Sequence, residues 1–157
     1  MIEEPQIARS AARQVATIRL TVPSSEIRDV MGPGIREVMD TLAAQGITPA
    51  GPWLTYHVRM PTDVFDFEIC VPVTTPVAPA GRVKPGMLPA AAVARTVYHG
   101  PYDGLAGGWG ELMSWIEANG HTPREDLWEI YAVGPESGSD SSKWRTELNR
   151  PLTHVAS

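Results

Sequence analysis

The chain has 157 residues, of which 43% are hydrophobic and 20% are charged. This length fits one domain that buries about two-thirds of its unfolded surface without disulfide or metal support. The formal net charge is −5. Binding to a phosphate backbone requires a basic surface, so we expect no direct nucleic-acid binding. No apolar stretch approaches the roughly 20 residues that span a bilayer, and no signal peptide is recognisable. These features predict a cytoplasmic protein with no membrane partner.

The first half of the chain has the pattern of a βαββ module, residues 14–73. Residues 1–13 carry mixed charge and no clear hydrophobic period, which predicts a loose N-terminal arm. Alternating apolar residues predict strands, and apolar residues at helical spacing between them predict a helix that Gly46 ends. The predicted elements are strand 14–22, a helix entered at Gly32-Pro33-Gly34, strand 52–59 and strand 64–73.

The second half repeats this order in a module of residues 90–152. Residues 74–89 contain four prolines and no sustained hydrophobic period, which predicts an extended linker between the modules. The domain that contains both modules is expected to be residues 14–157. The predicted elements of the second module are strand 91–99, helix 102–119 with a stop at Gly120, strand 127–133, a polar turn over 134–142, strand 144–152 and a frayed tail over 153–157.

Matching motifs link the two halves. Gly46-Ile47-Thr48-Pro49 followed by Trp53 and Tyr56 recurs as Gly120-His121-Thr122-Pro123 followed by Trp128 and Tyr131. The offset is 74 residues at the glycine (46 to 120) and 75 at the tryptophan (53 to 128). This repeat predicts a duplicated α+β fold with antiparallel sheets, two main helices and pseudo-twofold symmetry. A ligand cleft is expected between the halves.

Strand alternation selects a set of carboxylates. In strand 127–133, Trp128 and Ile130 share one face while Glu129 and Tyr131 share the other. If the helix covers the apolar set, Glu129 faces away from it. The same reasoning predicts that Glu68, Glu129 and Glu147 line a helix-free surface. The alternative for Glu68 and Glu147 is an ordinary solvated strand glutamate.

A carboxylate among aromatic rings is a suitable receptor for a flat lipophilic cation, because rings supply stacking and cation–π attraction while the acid compensates the charge. The alternative to ligand binding is a place in the hydrophobic core for the tryptophans and local packing in the turn for Tyr102. The scattered histidines have no metal-ligand spacing, and no cofactor motif is present, so neither a metal nor a cofactor is expected. The candidate ligand-binding residues are Glu129, Tyr131, Tyr56, Tyr102, Glu147, Glu68, Trp53 and Trp109.

Three motifs in order resemble the GyrI-like small-molecule-binding family, which includes effector-binding domains of multidrug-responsive and AraC-type transcription activators. They are His99-Gly100-Pro101-Tyr102, Trp128-Glu129-Ile130-Tyr131, and the segment from Ser142 to Leu148 followed by Pro151-Leu152. The resemblance implies two βαββ modules around a cleft for lipophilic, often cationic, compounds. It also implies that Glu129 is the key acidic residue. The roughly 13 residues before the first strand are too few for a helix-turn-helix.

Three functions follow from the resemblance and the candidate residues. The first is a stand-alone binding protein that sequesters aromatic, often cationic compounds. The second is detoxification by hydrolysis of cyclopropane-bearing natural products, with Glu129 and Tyr131 as catalytic residues. The third is a protein-interaction module that restrains a topoisomerase. Apart from these three functions, a second copy of the chain and a regulatory protein are the candidate protein partners.

Overall fold

The computed structural model describes residues 1–156, apart from the side chain of Glu136. Its contacts divide the chain into two compact units. We call Ala11–Ala90 module 1, and Met1–Ser10 together with Ala91–Ser157 module 2. The strands and main helices are β1 (Gln6–Ser10), β2 (Arg13–Pro23), α1 (Ile27–Ala44), β3 (Leu54–His57), β4 (Val64–Pro72), β5 (Lys84–Leu88), β6 (Ala91–His99), α2 (Leu105–Ala118), β7 (Thr122–Pro123), β8 (Leu127–Val133) and β9 (Arg145–His154).

Each module contains one main helix and antiparallel strands, so the predicted α+β fold with two βαββ modules is confirmed. Module 1 has the order β2-α1-β3-β4, and module 2 has the order β6-α2-β8-β9. Each of the six predicted strands differs from the observed one by no more than two residues at each end. The strand predicted over 52–59 is shorter, because only Leu54–His57 pairs with β4. Among the described residues, no helix is both long and apolar enough to cross a membrane.

In module 1 the strands are arranged β3-β4-β2-β5. Helix α1 covers the face that carries Ile18 and Ile69, since a Cβ at Gly34 would lie 3.2 Å from Ile18 Cδ1. Ile18 and Ile69 are directly paired and fully buried. Because alternate residues point to opposite faces, Glu68 lies on the face away from α1, as predicted.

The start of α1 differs from the prediction. The helix begins at Ile27 and runs through Gly32-Pro33-Gly34, which had been expected to mark its entry. Proline lacks an amide hydrogen and glycine has a low helix propensity, so the segment was interpreted as a helix boundary. Packing of Gly34 against the sheet overrides this local preference.

The end of α1 agrees with the prediction. Gly46 adopts a left-handed φ of 69°. The amide of Ile47 donates to the carbonyl of Leu42 over 2.9 Å, and the amide of Gly46 donates to the carbonyl of Ala43 over 3.2 Å. These two bonds form a Schellman motif, which favours glycine at the left-handed position.

The linker prediction over 74–89 is wrong in part, because β5 lies within it. Strand β5 pairs with β2 from Arg13↔Leu88 to Thr17↔Lys84. Its proline, Pro85, is tolerated because β5 is at the edge of the module 1 sheet, where one side of the strand needs no ladder hydrogen bonds. Proline content therefore concealed an edge strand.

In module 2 the order is β1-β6-β9-β8, with β7 paired to β9. The N-terminal arm predicted over 1–13 was wrong, because residues 6–10 form β1 against β6 and Ile2 forms a bridge with Tyr98. Strand β1 is mostly exposed, so its sequence carries no hydrophobic alternation to reveal it.

The connections in module 2 also differ in detail. The predicted polar turn contains the short 3₁₀ helices Pro135–Ser137 and Ser141–Lys143. The predicted frayed tail includes Thr153 and His154, which belong to β9, whereas Ser157 lies outside the described residues. The helix predicted from Tyr102 starts with a 3₁₀ turn, Tyr102–Gly104, before α2.

Helix α2 packs on the face of the module 2 sheet that carries Tyr98. A Cβ at Gly108 would lie 2.9 Å from Tyr98 Cδ1. Tyr98 pairs with Thr146 of β9, and Thr146 pairs with Tyr131 of β8. Directly paired residues point to the same side of a sheet, so α2, Tyr98, Thr146 and Tyr131 lie on one face.

Candidate functional site

Two hydrogen-bond donors meet the carboxylate of Glu129 in β8. The indole N–H of Trp109 in α2 donates to Glu129 Oε2 over 2.6 Å. The hydroxyl of Tyr131 donates to Glu129 Oε1 over 2.6 Å. Trp109 and Tyr131 are buried, and Glu129 is half-buried. Each carboxylate oxygen thus receives one donor from a buried aromatic side chain.

The environment of Glu129 changes its acidity. Burial raises the pKa of the Glu129 carboxyl above its ordinary value of 4.5, and the hydrogen bonds from Tyr131 and Trp109 lower it in part. The raised pKa means that ionised Glu129 lacks the solvation that water would supply. A positive charge placed nearby would therefore favour the ionised form.

Local geometry explains why Glu129 and Tyr131 act together. They are two residues apart in a strand, so their side chains project to the same face. The pairing with β9 is regular through Tyr131↔Thr146 and then shifts, so that Val133 pairs with Arg145. The regular pairing of β8 with β9 therefore extends over Glu129 and Tyr131 and is interrupted only after Tyr131.

Further aromatic rings adjoin Tyr131. The Tyr102 ring lies edge-on to the Tyr131 ring, with 5.7 Å between centroids. The Trp144 ring lies 5.0 Å from the Tyr102 ring at an interplanar angle of 37°. Tyr102 and Trp144 are both half-buried. The structure thus brings together four predicted residues, Glu129, Tyr131, Tyr102 and Trp109, and adds Trp144 to them.

The predicted orientation of Glu129 requires a correction. We expected it to face away from the helix, but Trp109 of α2 contacts it directly. The prediction failed because it assumed that the helix covers the side of β8 that carries Trp128. Fully buried Trp128 is on the face opposite to α2, since it pairs with Asn149, whereas Glu129 pairs with Leu148.

Glu147 lies on the opposite face of the module 2 sheet from Glu129. It pairs with Ile130 and Val97, and its carboxylate accepts from Asn149 Nδ2 over 3.1 Å. It also forms an ion pair with Arg95 at 3.2 Å. The prediction that Glu147 and Glu129 share one surface is therefore wrong. Glu147 pairs with Ile130, the residue next to Glu129, so the pairing register places the two carboxylates on opposite faces of the sheet.

The remaining predicted residues belong to module 1. Glu68 accepts from the Thr17 hydroxyl over 3.0 Å and pairs with Tyr56, which places both on the face away from α1. Trp53 packs against the hydrophobic core of this module. Their roles in ligand binding stay predictions.

Sequence reasoning missed Trp144 and Thr146 as members of the site. Trp144 lies where the polar turn meets β9, and its indole N–H donates to the Gly138 carbonyl over 3.1 Å. A tryptophan in an otherwise polar segment was the available signal for it. Thr146 lay in an unremarkable strand, and only the pairing register places it beside Tyr131. Among the described side chains, which exclude those of Glu136 and Ser157, no group of three or more His, Cys, Asp or Glu could hold a metal ion.

Solved structures with this fold include two that contain EcmrR. The C-terminal domain of EcmrR has a TM-score of 0.86 and 25% identity, and the match covers 97% of this chain and 98% of that one. The full EcmrR chain in the cryo-EM structure of the EcmrR–DNA complex has a TM-score of 0.85 and 25% identity, with 98% of this chain covered. The present chain spans 58% of the length of that EcmrR chain.

A more distant match carries a ligand. The structure of SAV2435 bound to tetraphenylphosphonium has a TM-score of 0.67 and 16% identity, covering 96% of this chain and 94% of that one. A search of curated proteins finds no match. The profile of the GyrI-like small molecule binding domain matches residues 3–152, which is nearly the whole chain. The chain therefore belongs to the GyrI-like family of small-molecule-binding domains.

Proposed function

We propose that this protein binds lipophilic aromatic cations at Glu129, with aromatic rings of module 2 as walls. The observation that carries the proposal is the Glu129 carboxylate held by Trp109 and Tyr131 at 2.6 Å each. The Tyr102 and Trp144 rings extend this group beyond Tyr131. A half-buried acid that adjoins several aromatic rings combines charge compensation with stacking.

The electrostatics favour a cation over a neutral compound. Burial raises the pKa of Glu129, so the ionised form is destabilised in the free protein. A bound cation would relieve this destabilisation, and an uncharged ligand of the same shape would not. Aromatic walls accept many flat ligands, because stacking depends weakly on the identity of the ring. This reasoning supports selection by charge with broad tolerance of shape.

The bound ligand of SAV2435, tetraphenylphosphonium, is a lipophilic aromatic cation and provides a suitable probe for the present protein. The predicted contributions of Tyr56, Glu68 and Trp53, and the cleft expected from the internal repeat, stay predictions. Glu147 lies on the other face of the module 2 sheet and serves as a control rather than as a candidate.

The test compares ions of matched shape and opposite charge. Tetraphenylphosphonium should bind saturably and quench tryptophan fluorescence, whereas tetraphenylborate should bind much more weakly. Glu129→Gln should remove most of this difference, and Glu147→Gln should preserve it. Equal affinity of the unaltered protein for both ions would contradict the role of Glu129 as charge partner.

Hydrolysis is a second candidate, favoured by the raised pKa of Glu129 and by its hydrogen bond from the Tyr131 hydroxyl. A carboxylate of raised pKa is suited to general base catalysis near neutral pH, and the tyrosine could polarise a substrate oxygen. Incubation with cyclopropane-bearing electrophiles should then give a hydrolysed product, and Glu129→Gln should abolish its formation while binding persists. Absence of product across a panel of such compounds would exclude this candidate in favour of binding alone.

A further inference from the structure

Thr146 carries a buried hydroxyl with no hydrogen-bond partner among the described residues. The residue is fully buried in β9. It lies opposite Tyr131 on one side and opposite Tyr98 on the other, on the face that α2 covers. The hydroxyls of these two tyrosines are directed elsewhere, to Glu129 and to the Pro101 carbonyl.

An unpaired buried hydroxyl is unusual, because leaving such a group without a partner costs the free energy of its desolvation. Thr17 in β2 provides a comparison within the same chain. It is equally buried, yet its hydroxyl donates to Glu68 over 3.0 Å and accepts from the Cys70 thiol over 3.5 Å. Among the described residues, the hydroxyl of Thr17 thus has hydrogen-bond partners and that of Thr146 has none.

Thr146 adjoins the aromatic group formed by Tyr102, Tyr131 and Trp144. Trp144 precedes Thr146 by two residues in an extended segment, so both side chains project to the same face. The Tyr102 ring contacts both the Tyr131 ring and the Trp144 ring, which flank Thr146. Tyr102 lies in the short 3₁₀ turn before α2 rather than in a strand. The Tyr102 ring is therefore held by a turn, whereas Tyr131 and Thr146 are held in the sheet.

We propose that Thr146 is a specificity-determining residue, whose hydroxyl pairs with a hydroxyl or amine group of a lipophilic cation that displaces the Tyr102 ring. This assignment rests on the proposed function and narrows its ligand class. Glu129 compensates the positive charge, and Thr146 selects cations that also carry a hydrogen-bonding group. Ligand binding then completes a hydrogen bond that the free protein lacks, which makes the gain specific to such ligands.

The test uses two cations of matched size, (2-hydroxyethyl)triphenylphosphonium and propyltriphenylphosphonium, with the unaltered protein and Thr146→Val. Valine has the shape of threonine without the hydroxyl. The ratio of the two affinities should shift by about fivefold against the hydroxyl-bearing cation in the variant, as one lost hydrogen bond of about 1 kcal/mol implies. An unchanged ratio, or an equal loss for both cations, would overturn the assignment.

A stability measurement tests the unpaired state itself. Thr146→Val should keep or raise the urea midpoint of the free protein, whereas Thr17→Val should lower it. An equal fall in both variants would show that the Thr146 hydroxyl already has a partner, which overturns the assignment. If neither phosphonium binds the unaltered protein, the proposed function fails together with this ligand assignment. Binding of both with an unchanged affinity ratio contradicts only the role of Thr146.

Discussion

Trp109 and Glu129 join helix α2 to strand β8 through one hydrogen bond of 2.6 Å. Burial raises the pKa of Glu129, and the hydrogen bond from the indole N–H of Trp109 counteracts this by favouring the ionised carboxylate. The pKa of Glu129 therefore depends on the position of α2 relative to β8.

Cation affinity should depend on pH through Glu129. The pKa of this carboxyl is raised in the free protein, so part of the population is protonated above the ordinary glutamate pKa of 4.5. Affinity for tetraphenylphosphonium should therefore rise with pH and level off above the raised pKa, and binding below that point should release protons. Titration calorimetry in buffers of different ionisation enthalpy measures this release. In Glu129→Gln both the release and the pH dependence should vanish.

Tyr131→Phe should move this pH dependence upward. The tyrosine hydroxyl lowers the pKa of Glu129, and its removal leaves Trp109 as the one remaining hydrogen-bond cause of lowering. Loss of this hydrogen bond to the ionised carboxylate should raise the pKa of Glu129 further, so the pH at which affinity levels off should increase. Glu147→Gln should leave the profile in place. A profile in Tyr131→Phe that superimposes on that of the unaltered protein would contradict the control of Glu129 acidity by this hydroxyl.

His57 should make the protein less stable in acid. It is 4% exposed, stacks on Phe67 with 5.3 Å between ring centroids, and has no partner for Nδ1 among the described residues. Burial lowers its pKa from 6.5 to about 4, so the unfolded chain takes up a proton before the folded chain does. The stabilisation is present above pH 6.5 and is lost as pH falls toward 4, by about 3 kcal/mol in total.

Urea unfolding between pH 8 and pH 4 measures this effect. His57→Phe should flatten the part of the curve between pH 6.5 and 4, because phenylalanine does not titrate and can pack beside Phe65 and Phe67. A curve of equal slope in the variant and the unaltered protein would assign the acid sensitivity elsewhere.

Neighbouring glycines in α2 should respond oppositely to alanine. A Cβ at Gly108 would lie 2.9 Å from the Tyr98 ring, whereas a Cβ at Gly107 meets nothing within 4 Å. Gly107→Ala should stabilise the protein by about 0.5–1 kcal/mol, because alanine loses less backbone entropy in a helix. Gly108→Ala should destabilise it by about 1–3 kcal/mol through overpacking. Equal signs in thermal or urea unfolding would contradict the close packing of α2 on Tyr98.

Periodicity in the sequence predicts most of the fold, because buried strands alternate and buried helices repeat regularly. The strand Ala91–His99 and the strand Leu127–Val133 were predicted with the bounds that they have. Edge strands β1 and β5 were missed, since exposed strands need no apolar face and β5 contains a proline. Their pairing is decided by partners far along the chain.

The sequence predicted several residues of the candidate site, but it did not predict on which face of the sheet they lie. The pairing of Glu129 with Tyr131 follows from their separation of two in a strand, and the hydrogen bond confirms that they share a face. The side of the sheet that α2 covers could not be read from β8, because both Trp128 and Tyr131 are aromatic and buried. Cross-strand register decides that question, and it also brings Thr146 beside Tyr131.

Strand β1 has a consequence for how the protein can be divided. It precedes module 1 in the chain but pairs with β6 of module 2. A fragment that starts at Ala91 would leave the Ala91–Arg95 edge of β6 without this partner. Uncovered strand edges recruit strands from other molecules. Such a fragment should therefore self-associate, and supplying residues 1–10 as a peptide should suppress that association.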